Sequence, residues 1–209
     1  MIKKSLFYSK KPKSAYSKLV FLEKRFIDLS LSIVLLIVTS PIILYSIYRI
    51  KKESFGSIFF TQSRVGLNGK NFTCYKLRSM HENSEINYYT QDNDSRIFPF
   101  AHTMRKMRID ELPQLWNVIK GDMHLIGPRA EWDILVDKYK ESVPRYEQRH
   151  LVRPGITGLA QVSYPYGRNS YDARKKLNYD LLYINKWSFG LELMVIFKTI
   201  QVVLGKKGL

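Results

Sequence analysis

The chain of 209 residues contains a single cysteine, Cys74, and four histidines scattered along its length. One thiol excludes an internal disulfide, and the histidine spacing does not match a zinc site. Acidic residues are also scarce, because 18 aspartates and glutamates stand against 34 lysines and arginines, a net charge of +16. Such a surplus indicates an anionic partner: nucleic acid, acidic lipid headgroups or a phosphorylated substrate. Hydrophobic residues make up 45% of the chain, which excludes disorder and allows one well-filled domain.

Residues 1–22 form a lysine-rich arm with interspersed aromatic side chains. No small-residue cleavage site follows the next apolar run, so we do not expect a removable signal peptide. A basic arm with aromatic residues suits an anionic membrane surface, and a solvated tail is an equally good interpretation.

Residues 23–53 contain the longest apolar run, which is close to the roughly 20 residues needed to cross a bilayer. Pro41 removes a helical hydrogen bond inside this run, so we predict that the helix kinks or breaks at Ser40-Pro41. Both flanks of the run are basic, and basic flanks prefer the cytoplasmic side. We therefore predict a re-entrant membrane helix. An ordinary transmembrane helix and a buried core helix are the alternatives.

Residues 54–209 are predicted to form one folded unit of the α/β class, mainly α. Two β-like segments, 58–61 and 71–75, flank a glycine-bearing turn at 66–69, which predicts a short β-hairpin. The apolar run at 189–204 has polar interruptions, which favours an amphipathic helix that lies in the membrane interface or packs on the core.

Two adjacent carboxylates, Asp110 and Glu111, follow three cationic side chains. Apolar residues at helical spacing predict a helix that begins near Asp110 and ends at Gly121, with Pro113 tolerated in its first turn. The helix start and the cations would attract a phosphate and would keep Asp110 ionised with a low pKa, which suits a nucleophile. The alternative is that the two carboxylates only stabilise a helix start.

Several cations lie in or beside turns rich in glycine and proline. Gly127-Pro128 could place Arg129 beside a ligand, and residues 153–158 pack two glycines and a proline behind Arg153. A rigid aromatic turn ends in Arg168 and could stack on a base or a sugar. Lys76, in the second hairpin segment, faces either a phosphate or solvent.

The motifs occur in a specific order: Ser40-Pro41, FTQSRVG at 60–66, YKLRSM at 75–80, DELPQL at 110–115, KGDM at 120–123, GPR at 127–129 and RPGITG at 153–158. This order closely resembles that of the bacterial sugar transferases called monotopic phosphoglycosyl transferases. The likeness extends from about Lys24 to the C-terminus. Each motif is weak alone, and all of them in order are specific.

The resemblance implies transfer of a sugar-1-phosphate from a UDP-sugar to a polyprenyl phosphate such as undecaprenyl phosphate, with release of UMP. It implies ping-pong chemistry through a phosphosugar on Asp110, with Mg²⁺ held by Glu111 and Asp110. The implied substrate-binding residues are Lys76, Arg105, Arg129, Arg153 and Arg168. It also implies the cytoplasmic face of the bacterial inner membrane, membrane lipids as partners and the first membrane step of surface glycan synthesis. Nucleic acid is not an expected partner beyond the nucleotide, and a homodimer is a candidate assembly.

Two positions depart from the pattern of the family. Glu192 stands where an aspartate is common, so no catalytic role is assigned to it, and Ala130 follows Arg129 where proline is common. A different class of function also fits the charge: a non-catalytic, basic, membrane-anchored protein that binds nucleic acid or another anionic polymer. Against this alternative, the cations are spread among separate turns instead of forming one stripe.

Overall fold

The computed structural model describes residues 18–82, 94–165 and 169–205, with side chains described from Leu22 onward. Most of the basic arm and Arg168 therefore lie outside the described residues. Within them the chain is mainly helical, as predicted, and carries two small sheets. The helices are α1 (Lys18–Glu53), α2 (Pro99–Lys106), α3 (Gln114–Lys120), α4 (Asp133–Ser142), α5 (Leu159–Ser163), α6 (Ser170–Lys186) and α7 (Phe189–Leu204). The strands are β1 (Phe59–Val65), β2 (Asn71–Leu77), β3 (His124–Ile126) and β4 (Gly155–Thr157).

Helix α1 runs without interruption for 36 residues, with Pro41 inside it. Of the two predicted outcomes, a break in secondary structure at Ser40-Pro41 is therefore wrong, whereas a kink within the continuous helix stays a prediction. The physical reason lies next to the proline. Pro41 has no N–H for the carbonyl of Ile37, four residues earlier, and the Ser40 hydroxyl donates to that carbonyl instead at 2.7 Å. One turn earlier, the Thr39 hydroxyl donates to Leu35 O at 2.7 Å. Re-entry itself stays a prediction.

Both ends of α1 contact the rest of the chain, whereas its centre is exposed. Near the start, Arg25 donates to the carbonyls of Val118 and Ile119 in α3. Near the end, Ile50 is fully buried against α2 and β2. Between these contacts, large apolar side chains such as Ile37 are exposed, at 67% for this residue. Among the described helices, α1 is the one long and apolar enough to cross a membrane.

The predicted hairpin is confirmed, because β1 and β2 pair antiparallel along seven residues each. Asn68 and Gly69 adopt positive φ values of 53° and 76° in the connecting turn, a conformation that asparagine and glycine tolerate best. Arg78 follows β2 and ties the hairpin to α1 by donating to the Ser54 carbonyl at 2.9 Å. The hairpin and the end of α1 are therefore fixed to one another.

Two of the apolar clusters that form the core are built on α6. One part packs α4 and α6 together through Val136 and Leu177, and a second packs α6 and α7 on β3 through Tyr183 and Val195. Helix α7 buries Val195 and exposes other large side chains, including Phe197. It is therefore an amphipathic helix with one face on the core, as predicted, and its contact with a membrane stays a prediction.

Candidate active site

Asp110 and Glu111 lie on a single 3₁₀ turn, Ile109–Glu111, and α3 begins only at Gln114. The predicted α-helical start near Asp110 is therefore wrong by about one turn. In an α-helix the carbonyl of Ile109 would accept from residue 113, which is a proline without an N–H. The Leu112 N–H takes that carbonyl instead at 3.2 Å, which produces the tighter turn. The predicted end is confirmed, since Gly121 caps α3 with a φ of +92°.

Asn117 fixes α3 to the hairpin, a role that the sequence did not indicate. Its side chain is fully buried on α3, donates to Thr73 O at 2.7 Å and accepts from the Tyr75 N–H at 3.1 Å. Because both partners belong to β2, the strand is held in register with α3. Lys76 follows directly in β2 and is thereby aimed at the two carboxylates. The signal in the sequence that could have indicated this role was an amide side chain at a buried position of a helix.

Three cations from separate parts of the chain converge on Glu111, which is only 4% exposed. Lys76 Nζ donates to Glu111 Oε1 at 2.8 Å, and Arg129 donates to the same oxygen at 3.0 Å. Arg108 donates to Oε2 at 3.3 Å. Burial opposes ionisation, but Lys76, Arg129 and Arg108 together hold the pKa of Glu111 well below its ordinary value. Glu111 is therefore a carboxylate at neutral pH.

Arg129 is positioned by two strands whose backbones approach too closely for any side chain. A Cβ on Gly155 would lie 2.0 Å from Gly127 N, and a Cβ on Gly158 would lie 2.0 Å from Gly127 O. These glycines allow β3 and β4 to pair in parallel, with Gly127-Pro128 leading out of β3 to Arg129. The buried guanidinium of Arg149 then donates to Arg129 O at 3.0 Å. This close approach of the two strands explains why Arg129 lies beside Glu111, and its predicted contact with a ligand stays a prediction.

Asp110 is the less neutralised of the two carboxylates. It is 8% exposed, and it forms no ion pair within the described part of the chain, because the nearby cations pair with Glu111. Burial raises the pKa of Asp110, the attraction of Lys76 opposes this shift, and the negative charge of Glu111 adds to it. The predicted low pKa of Asp110 is therefore wrong: desolvation outweighs the cations here. The result is a buried, weakly solvated carboxyl group beside a permanent negative charge.

The other predicted substrate-binding residues have different locations. Arg105 ends α2 near the pair: its positive charge lowers the pKa of Asp110, and its guanidinium lies 3.4 Å from Ser79 Oγ. Arg153 is not brought to Asp110, since its Nε donates to Gly121 O at 2.6 Å, at the opposite end of α3. Arg168 and the two residues before it lie outside the described residues.

The predicted Mg²⁺ site offers the carboxylates of Asp110 and Glu111 as donor groups. Within the described residues, no group of three or more histidine, cysteine, aspartate or glutamate side chains could bind a metal alone. Mg²⁺ is usually held by one or two carboxylates together with waters and substrate phosphates. Two adjacent carboxylates, one without an ion pair, fit this donor set once a phosphorylated substrate supplies further oxygens.

An apolar cavity of about 740 Å³ opens beside the carboxylates, between α1 and α7. Arg108 and Glu111 are part of its lining, and so are Lys24, Asp28 and Glu192. The two helices are joined at one side of it by a buried ion pair, in which Lys24 Nζ donates to both carboxylate oxygens of Glu192 at 2.7 and 2.9 Å. Glu192 also accepts from Tyr183 and Trp187 at 2.7 and 2.8 Å. Glu192 thus joins α1 to α7, a role that the sequence did not reveal.

Comparison with known proteins agrees with the resemblance seen in the sequence. The model of a family described as bacterial sugar transferase matches residues 19–206. The chain is 43% identical over 183 residues to the UDP-N-acetylgalactosamine-undecaprenyl-phosphate N-acetylgalactosaminephosphotransferase of Aeromonas hydrophila, covering 87% of this chain and 43% of that protein. It is 40% identical to the uncharacterized sugar transferase EpsL of Bacillus subtilis, covering 89% of both chains.

A third relative has a different sugar in its name. The undecaprenyl-phosphate galactose phosphotransferase of Salmonella typhimurium is 36% identical over 202 residues, covering 88% of this chain and 41% of that protein. The chain therefore spans less than half the length of the Aeromonas and Salmonella proteins and nearly the whole of the Bacillus protein.

Proposed function

The chain belongs to the bacterial sugar transferase family, and from this we propose that it transfers a sugar-1-phosphate from a UDP-sugar to a polyprenyl phosphate. The products would be UMP and a polyprenyl diphosphate sugar. The names of the Aeromonas and Salmonella relatives share undecaprenyl phosphate and differ in the sugar, which supports the acceptor more strongly than any one donor. The observation that carries the proposal is the buried pair in which Glu111 is neutralised by three cations while Asp110 forms no ion pair with any described residue.

In the first half-reaction, a carboxylate oxygen of Asp110 would attack the β-phosphorus of the UDP-sugar. The bond from that phosphorus to the bridging oxygen would break, and UMP would leave with the electron pair. The sugar phosphate would remain on Asp110 as an acyl phosphate. Because Asp110 is buried, its ionised form is poorly solvated, which makes it more reactive towards an electrophile.

In the second half-reaction, a phosphate oxygen of the polyprenyl phosphate would attack the phosphorus of the acyl phosphate. The bond from phosphorus to the Asp110 oxygen would break, and the carboxylate would be regenerated. Each half is an in-line displacement at phosphorus, so the main task of the protein is to position reactants and offset negative charge. The arrival of both substrates at one carboxylate in turn predicts ping-pong kinetics.

Lys76, Arg105, Arg108 and Arg129 would supply the positive charge in this scheme. They lie close to the two carboxylates, and three of them hydrogen-bond to Glu111 when no substrate is bound. A diphosphate beside Asp110 would offer them additional oxygens at the point where charge develops. Mg²⁺ is proposed as the cofactor, held by Glu111 and Asp110 together with substrate phosphate. When bound, it would neutralise charge on the diphosphate and help UMP to leave.

We further propose that α1 bends at Pro41 within its continuous helix, so that it enters the membrane, returns to the same side and holds the catalytic residues at the cytoplasmic face of the inner membrane. The support is that both ends of α1 pack on the same folded unit while its apolar centre is exposed. A straight crossing would carry one end of α1 to the far side of the bilayer, away from that unit. Glycan assembly on a polyprenyl carrier would begin with this transfer.

The decisive experiment is UMP release by the purified protein from a UDP-sugar, with polyprenyl phosphate and Mg²⁺ present. We expect Asp110→Asn to lower the rate by roughly 10³-fold or more, because the nucleophile is lost. Asp137→Asn, on an exposed face of α4, is the matched control and should retain the wild-type rate. EDTA should stop release, and added Mg²⁺ should restore it.

A radiolabelled donor sugar separates the proposed intermediate from direct transfer. Rapid quenching without acceptor should leave label on the wild-type polypeptide and none on Asp110→Asn. An Asp110→Asn protein that releases UMP at the wild-type rate would overturn the proposed function.

A further inference from the structure

We propose that the cavity between α1 and α7 binds the first isoprene units of the acceptor, and that Arg108 holds the acceptor phosphate where this cavity meets Glu111. The inference rests on the proposed function, because it assigns a location to one substrate of that reaction. We call this cavity the acceptor cleft. It is bounded by residues 23–39 of α1, residues 189–203 of α7 and the side chains of Leu112 and Leu115.

The walls of the acceptor cleft are made by one face of each helix. On α1 the lining positions recur every three or four residues, and on α7 the same spacing is found. The main apolar lining residues are Ile27, Leu31, Leu35, Ile196, Ile200 and Val203. Leu31 is 39% exposed and Ile200 is 50% exposed, so the cleft is open along its length. Apolar side chains left open in this way gain free energy when a hydrocarbon covers them.

The acceptor cleft reaches the catalytic pair, Asp110 and Glu111. This position indicates the kind of ligand that the cleft would bind. Glu111 and Arg108 both line it, so a hydrocarbon in the cleft would have its polar end within reach of these residues. Arg108 adopts a left-handed conformation with a φ of +58°, which is uncommon for a residue with a side chain. This conformation precedes the turn that carries Asp110. A chain with one terminal phosphate matches an apolar cleft that ends at a guanidinium.

The three cations that contact Glu111 therefore reach it from two different sides. Lys76 reaches Glu111 from the hairpin, and Arg129 reaches it from the loop after β3. Arg108 reaches the other carboxylate oxygen from the acceptor cleft. In this arrangement the UDP-sugar would approach the carboxylates from the side of Lys76 and Arg129. The lipid phosphate would approach from the side of Arg108. Both phosphoryl-transfer steps would then use Asp110, and the two substrates would reach it by different routes.

The volume of the cleft favours a single hydrocarbon chain. Cavities of roughly 300–1,000 Å³ hold ligands of drug size, so about 740 Å³ accommodates a few isoprene units. The rest of the acceptor would continue into the bilayer. A phospholipid carries two acyl chains and a substituted headgroup at its phosphate, which fits the cleft less well. We therefore assign the cleft to the prenyl chain of the acceptor.

The test uses tryptophan substitutions on two faces of α7. Ile196→Trp fills the cleft, whereas Leu193→Trp makes the same kind of change at a position that is 51% exposed on α7 and outside the lining. Acceptors are polyprenyl phosphates from two isoprene units to the full undecaprenyl chain, in detergent. For the wild type, kcat/KM should rise with the first few units and then level off. Ile196→Trp should raise KM for the acceptors that reach into the cleft about tenfold and flatten this rise.

Several outcomes separate the inference from the proposed function. Leu193→Trp should keep the wild-type dependence on chain length, and both variants should keep the wild-type KM for the UDP-sugar. Arg108→Gln should raise KM for every acceptor, including the shortest, because it removes the phosphate contact. Equal chain-length curves for Ile196→Trp and Leu193→Trp would overturn the inference while wild-type UMP release still supports the proposed function. An Ile196→Trp protein with a lowered melting temperature would be replaced by Ile200→Trp.

Discussion

At the scale of single residues, Lys76 links the hairpin to the catalytic pair. It is the first cation on Glu111 by distance, at 2.8 Å, and it also opposes the upward pKa shift of Asp110. It thus favours the charged form of both carboxylates. Its position depends on Asn117, which fixes the adjacent backbone of β2. A single ammonium group therefore connects the register of a strand to the ionisation of the site.

Lys76→Met should lower kcat/KM for the UDP-sugar by about 10²-fold or more, because one preorganised charge near the transferred phosphoryl group is lost. Removal of this cation also raises the pKa of both carboxylates and so reduces the ionised nucleophile. Lys70→Met removes the same charge from an exposed position just before β2 and is the control. Steady-state UMP release measures both variants. Equal losses in the two would mean that only the net charge of the hairpin matters.

The sequence predicted the chemical identity of the site better than its local geometry. The order of motifs located Asp110, Glu111, Lys76 and Arg129, because residue type and spacing are written in the chain. It did not predict the sign of the pKa shift of Asp110, since burial depends on elements far apart in sequence. Glu192 was missed for the same reason: its partner, Lys24, is 168 residues away. Long-range burial and pairing leave little local pattern.

At the scale of secondary structure, the segment around Pro41 shows why a proline inside a helix did not end the helix as predicted. Proline does remove one helical hydrogen bond, and a break was a sound expectation. The Ser40 hydroxyl, however, occupies the carbonyl of Ile37 that the proline leaves without its usual donor. The helix therefore continues. In a lipid environment the hydrogen bond from the Ser40 hydroxyl matters more than in water, because no solvent is available to satisfy the Ile37 carbonyl.

Ser40→Ala should destabilise the protein by about 1–3 kcal/mol, because the Ile37 carbonyl loses its donor. The cost should nearly vanish when Pro41→Ala is also present, since the restored N–H of residue 41 can bond to the same carbonyl. Thermal unfolding in detergent, followed by circular dichroism, measures the four proteins of this double-mutant cycle. Additive effects of the two substitutions would contradict the proposed exchange of donors.

At the scale of the whole molecule, the net charge is +16, and several of the lysines and arginines make contacts inside the fold. Arg149 is buried and pairs with Asp180 at 2.8 Å, Arg78 holds the end of α1, and three further cations bind Glu111. A cation that is buried or paired inside the fold is less available to a polymer on the surface. The three cations at the buried Glu111 are therefore better placed for a small phosphorylated substrate than for a polymer on the surface.

The topology of α1 decides how the whole molecule sits in the bilayer. A straight helix of 36 residues would be about 54 Å long, which exceeds the roughly 30 Å of a hydrocarbon core. Length alone therefore permits a crossing. The contacts argue otherwise, because Arg25 near one end and Ser54 just beyond the other both bond to the folded unit. These contacts support the proposed re-entry, which puts both ends on the side of the membrane where that unit lies.

This topology is tested by cysteine labelling in sealed, inside-out membrane vesicles. Single cysteines at Glu23 and Lys52, both exposed, should react with a membrane-impermeant maleimide from the same face. A cysteine at Ile37, in the exposed apolar centre, should be protected. The unsubstituted chain is the control, since its own Cys74 is buried and should remain unlabelled. Labelling of Glu23 and Lys52 variants from opposite faces would show that α1 crosses the bilayer. The contacts at one of its ends would then have to be absent in the membrane.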